Sequence, residues 1–169
     1  MRRAVLSHFL RDQAGAAAAE MALVAPLLII IMLGAAETGN YFLNEHSLSK
    51  AVRDGARYAA RQSFSFYPDC STIDTTLRDN TRNVVMYGYL SGTDILTPNI
   101  TAPDVTLSTS CQTSVGGQSM LGLYRGRAGG GQTVTVTAVV PYRPVLGSLG
   151  FSGIGLNLNA SSQAAVTGL

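Results

Sequence analysis

From Met21 to Ala36 no residue is charged or strongly polar, and small residues carry the apolar run back to Ala16, broken only by Glu20. As a helix, residues 16–36 would span roughly 31 Å, close to the hydrocarbon thickness of a bilayer. A transmembrane helix is therefore predicted over 16–36, with Pro26 removing a backbone hydrogen bond and bending it locally. Past Ala36 the pattern turns amphipathic instead of stopping. Tyr41, Leu48, Val52, Gly55 or Ala56 and Ala59 recur at helical intervals, while Lys50, Arg53, Asp54, Arg57 and Arg61 take mostly other faces. Asn44 and Glu45 open the soluble face. One helix is predicted from about Ala16 to Arg61, half of it membrane or filament core, since soluble helices seldom run so long.

Ser63 to Cys70 reads as a linker closing in a turn at Pro68-Asp69. Ser71 or Thr72 can then cap a second helix with Asp74 in its first turn, an apolar side formed by Ile73, Leu77, Val84, Val85 and Tyr87, and an end near Tyr89 or Leu90. The remaining residues change period. Asp104–Thr109, Thr133–Val140 and Leu156–Ser161 alternate polar with apolar, and Pro141 and Pro144 stop the middle strand. Three such strands make a small antiparallel sheet with one apolar face, and the amphipathic half of the long helix is its packing partner. Gly116-Gly117 and Gly129-Gly130-Gly131 bracket a loop or hairpin. The fold class is thus α+β: a long N-terminal transmembrane and amphipathic helix packed on a small antiparallel sheet, with a second short helix. The expected organisation is a leader at 1–15, a membrane helix at 16–36, its amphipathic continuation at 37–62 and an α+β domain at 63–169.

Charge adds an orientation. Residues 1–15 hold Arg2, Arg3 and Arg11 against Asp12; removing these from twelve basic and ten acidic residues leaves nine of each. Positive charge just before the apolar run predicts a cytoplasmic N-terminus, hence a C-terminal domain beyond the inner membrane. Neutrality after residue 15 leaves no basic stripe, and nucleic acid is not an expected partner. The oxidising compartment makes Cys70 and Cys111 a plausible disulfide, with two buried thiols as the alternative.

Catalytic chemistry does not assemble. His8 lies in the leader and His46 on the polar side of the helix, and His46 has no nucleophile elbow near it. Gly129-Gly130-Gly131 lacks the following Lys-Ser/Thr of a phosphate loop and reads as a flexible turn. The cysteines are too far apart and too unsupported by histidine for zinc. Asn99-Ile100-Thr101 matches a glycosylation acceptor that has no evident use in a bacterial-looking chain. No enzyme activity, metal or cofactor is expected.

What remains is Glu20. A carboxylate inside an apolar helix costs about 2.5–3.5 kcal/mol on insertion scales and calls for a partner. The sequence of basic leader, Gly15, Ala16, Glu20 and apolar helix resembles the prepilin family, whose members are cut after a glycine and carry glutamate at the fifth mature position. More specifically, Gly15 to Glu20, Ala25-Pro-Leu-Leu28, Gly34 with Glu37, and Ala51-Val-Arg-Asp-Gly-Ala-Arg-Tyr-Ala-Ala60 resemble the TadE-like minor pilins, or pseudopilins, of tight-adherence (Flp) pilus systems. The strand Thr133–Val140 followed by Pro141-Tyr142-Arg143-Pro144 is similar to that family's C-terminal region. The resemblance implies cleavage between Gly15 and Ala16 by a prepilin peptidase, subunit assembly through Glu20, residence in the inner membrane or an extracellular pilus, and partners among other pilins, pseudopilins and the assembly machinery. It implies a part in adhesion and biofilm formation.

Two other readings start from the same residues. Gly34-Ala35-Ala36 would suit a general signal peptidase, releasing a soluble periplasmic protein that begins at Glu37. An uncleaved helix would instead leave a membrane-anchored binding domain beginning at Met1.

Overall fold

The computed structural model describes residues 13–92, 104–127, 129–149 and 155–168. The basic leader up to Asp12 and the Asn99-Ile100-Thr101 acceptor lie outside the described residues. Two compact units divide the chain, residues 1–40 and 41–169. A single helix, α1 (Gln13–Ala60), supplies all the described structure of the first unit and the first element of the second.

In the first unit α1 continues through Pro26. Its apolar side chains point outward all round, as in Leu23, 80% exposed, and Ile30, 67% exposed. Among the described residues this is the helix long and apolar enough to cross a membrane. Thr38, the first hydroxyl after the apolar run, donates to the Gly34 carbonyl at 2.8 Å, so it satisfies itself within the helix.

The second unit has the predicted α+β composition. α2 (Thr75–Tyr87) follows a tight 3₁₀ turn at Phe64–Phe66. The main sheet contains β1 (Asp104–Gln112), β4 (Gly131–Pro141) and β5 (Asn157–Ala165) in the order β1-β4-β5, antiparallel throughout. Val136 in the central strand pairs with Leu107 on one side and Ser162 on the other. A two-residue Gly116-Gly117 loop joins β2 (Ser114–Val115) to β3 (Gln118–Ser119), so the hairpin turns on the first glycine pair. Among the described residues, the segment bracketed by the two glycine runs supplies only β3 and a 3₁₀ turn at Gly122–Tyr124.

Period-two burial follows from one face of the sheet covering the helix. Val134, Val136, Ala138 and Val140 are fully buried and join Leu48, Val52, Ala56 and Ala59 of α1 and Leu77 and Val85 of α2 in one core. The opposite face is lined by hydroxyls, with Thr137 and Ser161 paired across strands at 3.1 Å. α1 runs antiparallel to β4. At one end the rings of Tyr41 and Tyr142 meet edge-on at 5.2 Å; at the other, Thr167 N–H donates to the Ala60 carbonyl at 2.7 Å. Gly55 is where α1 and α2 touch: a Cβ there would overlap the Val85 side chain, so the small residue is a packing requirement.

Several local expectations are corrected. Asp74, not Ser71 or Thr72, caps α2, its carboxylate accepting from the Thr76 amide at 2.8 Å. The Ser71 hydroxyl is turned back to Asp69 instead, donating to its carboxylate at 2.9 Å. α2 ends at Tyr87, two or three residues early, where Gly88 takes a left-handed conformation. β1 and β5 run three and four residues further than their alternation, to Gln112 and Ala165, because both keep pairing with β4. Asn44 is buried at 8% exposure instead of opening the soluble face, since it lies one turn before Leu48 on the same stripe. Ser63–Cys70 is no free linker: Tyr67 is buried and Phe64 and Phe66 pack on the core.

Candidate processing and assembly site

Gly15, Ala16 and Glu20 all lie in α1 and all are exposed. A Cβ built on Gly15 would meet nothing within 4 Å, so the peptide after it is open to an approaching enzyme from that side. Ala16 and Glu20 are one turn apart on the same helix face, a spacing at which side chains meet. Between Gln13 and Ala36 Glu20 is the sole charged residue. In hydrocarbon such a group is driven toward any available cation, and a free amino group at Ala16 would be one within a turn of it. Ala17, Ala18, Ala19 and Ala22 flank it with side chains small enough for a second helix to approach closely.

The cysteines, by contrast, belong to the second unit. Cys70 and Cys111 form a disulfide with their Cα atoms 5.3 Å apart, fastening the turn before α2 to the end of β1. Gly129 lies against both sulfurs, and a Cβ there would come within 3 Å of each. The glycine run is therefore not a merely flexible turn; it seats the bridge. Gln132, buried at the start of β4, donates to the Asp69 carbonyl at 3.0 Å and to Thr109 Oγ1 at 3.1 Å, binding the same turn to the sheet.

A cleft of about 330 Å³ opens here, lined in part by Tyr67, Asp69, the two cysteines, Arg127 and Gln132. Its polar groups are committed to structure. The Asp69 carboxylate accepts from Ser71 and Thr72, and these hydrogen bonds, the Ser71 amide first, hold its pKa down at about 2. Burial raises the Tyr67 phenol, whose hydroxyl donates to the Ala59 carbonyl at 2.7 Å. The Arg127 guanidinium stacks 3.6 Å from the centre of the Phe64 ring. Among the described residues no cluster of His, Cys, Asp and Glu could hold a metal ion. His46 is exposed on α1.

The turn at Pro68-Asp69 was legible in the sequence; what sequence reasoning missed is that the Asp69 carboxylate builds it by accepting from the Ser71 and Thr72 amides. The glycine at 129 beside a cysteine bridge left no such trace, because the contact spans residues far apart in sequence.

No curated protein and no solved structure matches this chain. A family model described as TadE-like protein does match, over residues 15–57, and that family suggests a protein associated with the Tad pilus. The matched segment begins at Gly15, contains Ala16, Glu20 and the whole apolar run, and ends at Arg57 within the Ala51–Ala60 motif. The likeness to the TadE-like family thus rests on the N-terminal helix, over residues 15–57.

Proposed function

We propose that this protein is a minor pilin or pseudopilin that a prepilin peptidase cuts between Gly15 and Ala16, and that then takes part in assembling a Tad/Flp-type pilus for surface adherence. The observation carrying this reading is Glu20, exposed one turn from Ala16 in a stretch of α1, residues 13–36, that is otherwise free of charge. Cleavage frees an ammonium on Ala16. In low dielectric that ammonium and the carboxylate of an adjacent subunit attract far more strongly than in water, so side-by-side helices are favoured over isolated ones. The pairing also sets register, since only one axial offset brings the two charges together.

The basic residues before the apolar run favour a cytoplasmic N-terminus in the inner membrane, with residues 63–169 forming a periplasmic domain. A folded domain of this size exceeds what a bulk Flp-type filament subunit carries, which favours an accessory subunit. Glu20 weighs against a general signal peptide, since the apolar core of such a signal has no reason to hold a carboxylate.

Sequencing the N-terminus of protein recovered from membranes tests the proposal. It should begin at Ala16, and replacing Gly15 with leucine should leave the heavier precursor. A start at Glu37 would make it a secreted protein, and a start at Met1 an uncleaved anchor.

A further inference from the structure

We infer that the end of the second unit bearing Tyr41, Phe42, Tyr142, Arg143, Val145 and Leu156 is a membrane-contact surface that rests on the phospholipid headgroup layer. The inference rests on the membrane anchoring of α1, but adds to it a second, separate contact made by the folded domain.

Connectivity within the helix gives the first reason. The apolar run ends at Ala36, and the five residues to Tyr41 advance about 7.5 Å along α1. The headgroup layer on each side of the hydrocarbon is about 5–7 Å thick. Tyr41 and Phe42 therefore leave the helix at the outer edge of that layer, and helical side chains lean back toward the N-terminus, which here is the bilayer side.

The second reason is what the fold gathers around Tyr41. Its ring packs edge-on against Tyr142, at the end of β4. The Tyr142 amide donates to the Leu156 carbonyl at 2.8 Å, bringing the start of β5 alongside. Val145 lies three residues further on, 53% exposed, and Leu156 is 50% exposed. Arg143, between Tyr142 and Val145, is exposed as well. Two tyrosines, a phenylalanine, an arginine and two half-exposed aliphatic side chains are the composition of a membrane–water interface: rings with one apolar and one polar end, a cation for the phosphates, and aliphatic groups for the acyl boundary. Both aliphatic side chains sit in water at a cost that lipid contact would remove.

Exposed apolar residues also occur at the opposite end, for example Leu123, next to Tyr124, whose hydroxyl donates to the Val166 carbonyl at 2.7 Å. That end adjoins Ala60 through Thr167 and lies about 28 Å along α1 from Tyr41, beyond the reach of headgroups. It serves as the internal control.

The chain contains no tryptophan, so a single introduced indole reports alone. Full-length Val145→Trp, Leu156→Trp, Leu123→Trp and Ile30→Trp variants would each be reconstituted into phosphatidylcholine vesicles, with and without bromine near the headgroup end of the acyl chains. The indoles at 145 and 156 should show blue-shifted emission and lose intensity to the brominated lipid, as the one at 30 does. The indole at 123 should do neither. Quenching at 30 with none at 145 or 156 would overturn the contact surface and leave the anchor standing. Equal quenching at 123 would overturn it too, since the domain would then lie on the membrane without preference. Absence of quenching at 30 would remove the anchor itself and the surface with it.

Discussion

The Tyr67 hydroxyl donates to the main-chain carbonyl of Ala59 at 2.7 Å, in the last turn of the long helix. The final carbonyls of a helix have no partner within it and are commonly met by a left-handed glycine motif. Here those of Ala59 and Ala60 are met from a distance, and that of Tyr58 locally. Ala60 receives the amide and hydroxyl of Thr167, and Tyr58 receives the side-chain amide of Gln62. The helix ends where it does because the rest of the domain supplies its terminal hydrogen bonds.

Replacing Tyr67 with phenylalanine removes the hydroxyl and keeps the buried ring. The Ala59 carbonyl still receives the Gln62 amide at 3.2 Å, so it is not orphaned. The loss should therefore be about 1 kcal/mol, the net worth of one hydrogen bond. Urea denaturation of the detergent-solubilised chain measures it; an unchanged midpoint would show that the bond contributes nothing to the helix end.

Asp69 predicts a pH dependence. Its folded pKa of about 2 lies below the ordinary carboxylate value, so its bonds to Ser71 and Thr72 stabilise the fold above about pH 4 and are lost as pH falls toward 2. Asp69→Asn should melt at a lower temperature than the parent at neutral pH, and the two curves should converge near pH 2. A constant gap across that range would assign the effect to something other than the charge.

The cysteines should be bridged in protein recovered from cells. With Cys70 and Cys111 separated by 41 positions, the cross-link is worth about 4 kcal/mol on the chain-entropy account. Thiol labelling under denaturing, non-reducing conditions should find no free cysteine, and paired Cys70→Ser and Cys111→Ser substitutions should destabilise the domain by roughly that amount. Full labelling of both residues in the parent would refute the bridge.

Periodicity made the large elements legible. The heptad-like return of Leu48, Val52, Ala56 and Ala59 and the alternation from Thr133 to Val140 each report burial through local spacing, and both buried faces are those the pattern names. What local spacing does not encode was misread. The turn that Asp69 makes with Ser71 and Thr72 depends on loop geometry, and the cap of α2 falls to Asp74. The packing of Gly55 on Val85 and of Gly129 on the disulfide joins residues with no shared period, and glycine at such positions looks like flexibility in sequence while acting as fit in three dimensions. At the candidate site the apolar run and its single carboxylate were legible outright, because a charge in hydrocarbon stands out against its neighbours.

Glu20→Ala should spare folding and membrane insertion while impairing assembly. The residue is exposed on α1, outside the second unit, so its loss touches none of the core. What disappears is the carboxylate proposed to meet an Ala16 ammonium. The variant should be processed and membrane-bound, yet reduced in sheared pilus fractions and in crosslinked complexes. Incorporation equal to the parent would leave helix packing alone to drive assembly.

The bond between Thr167 and Ala60 closes a contact across 107 residues, and the apolar stripe of α1 shares its core with β4 and β5. During synthesis at about 5–20 residues per second, that stripe exists for roughly 5–20 s before the strands that cover it have been made. Val52 and Ala56, fully enclosed in the finished fold, are unprotected for that interval. The chain therefore emerges with a sticky helix and no sheet, a state open to misassociation with neighbouring nascent chains. Its yield in a cell should depend on holdase chaperones during that interval more than its final stability would suggest.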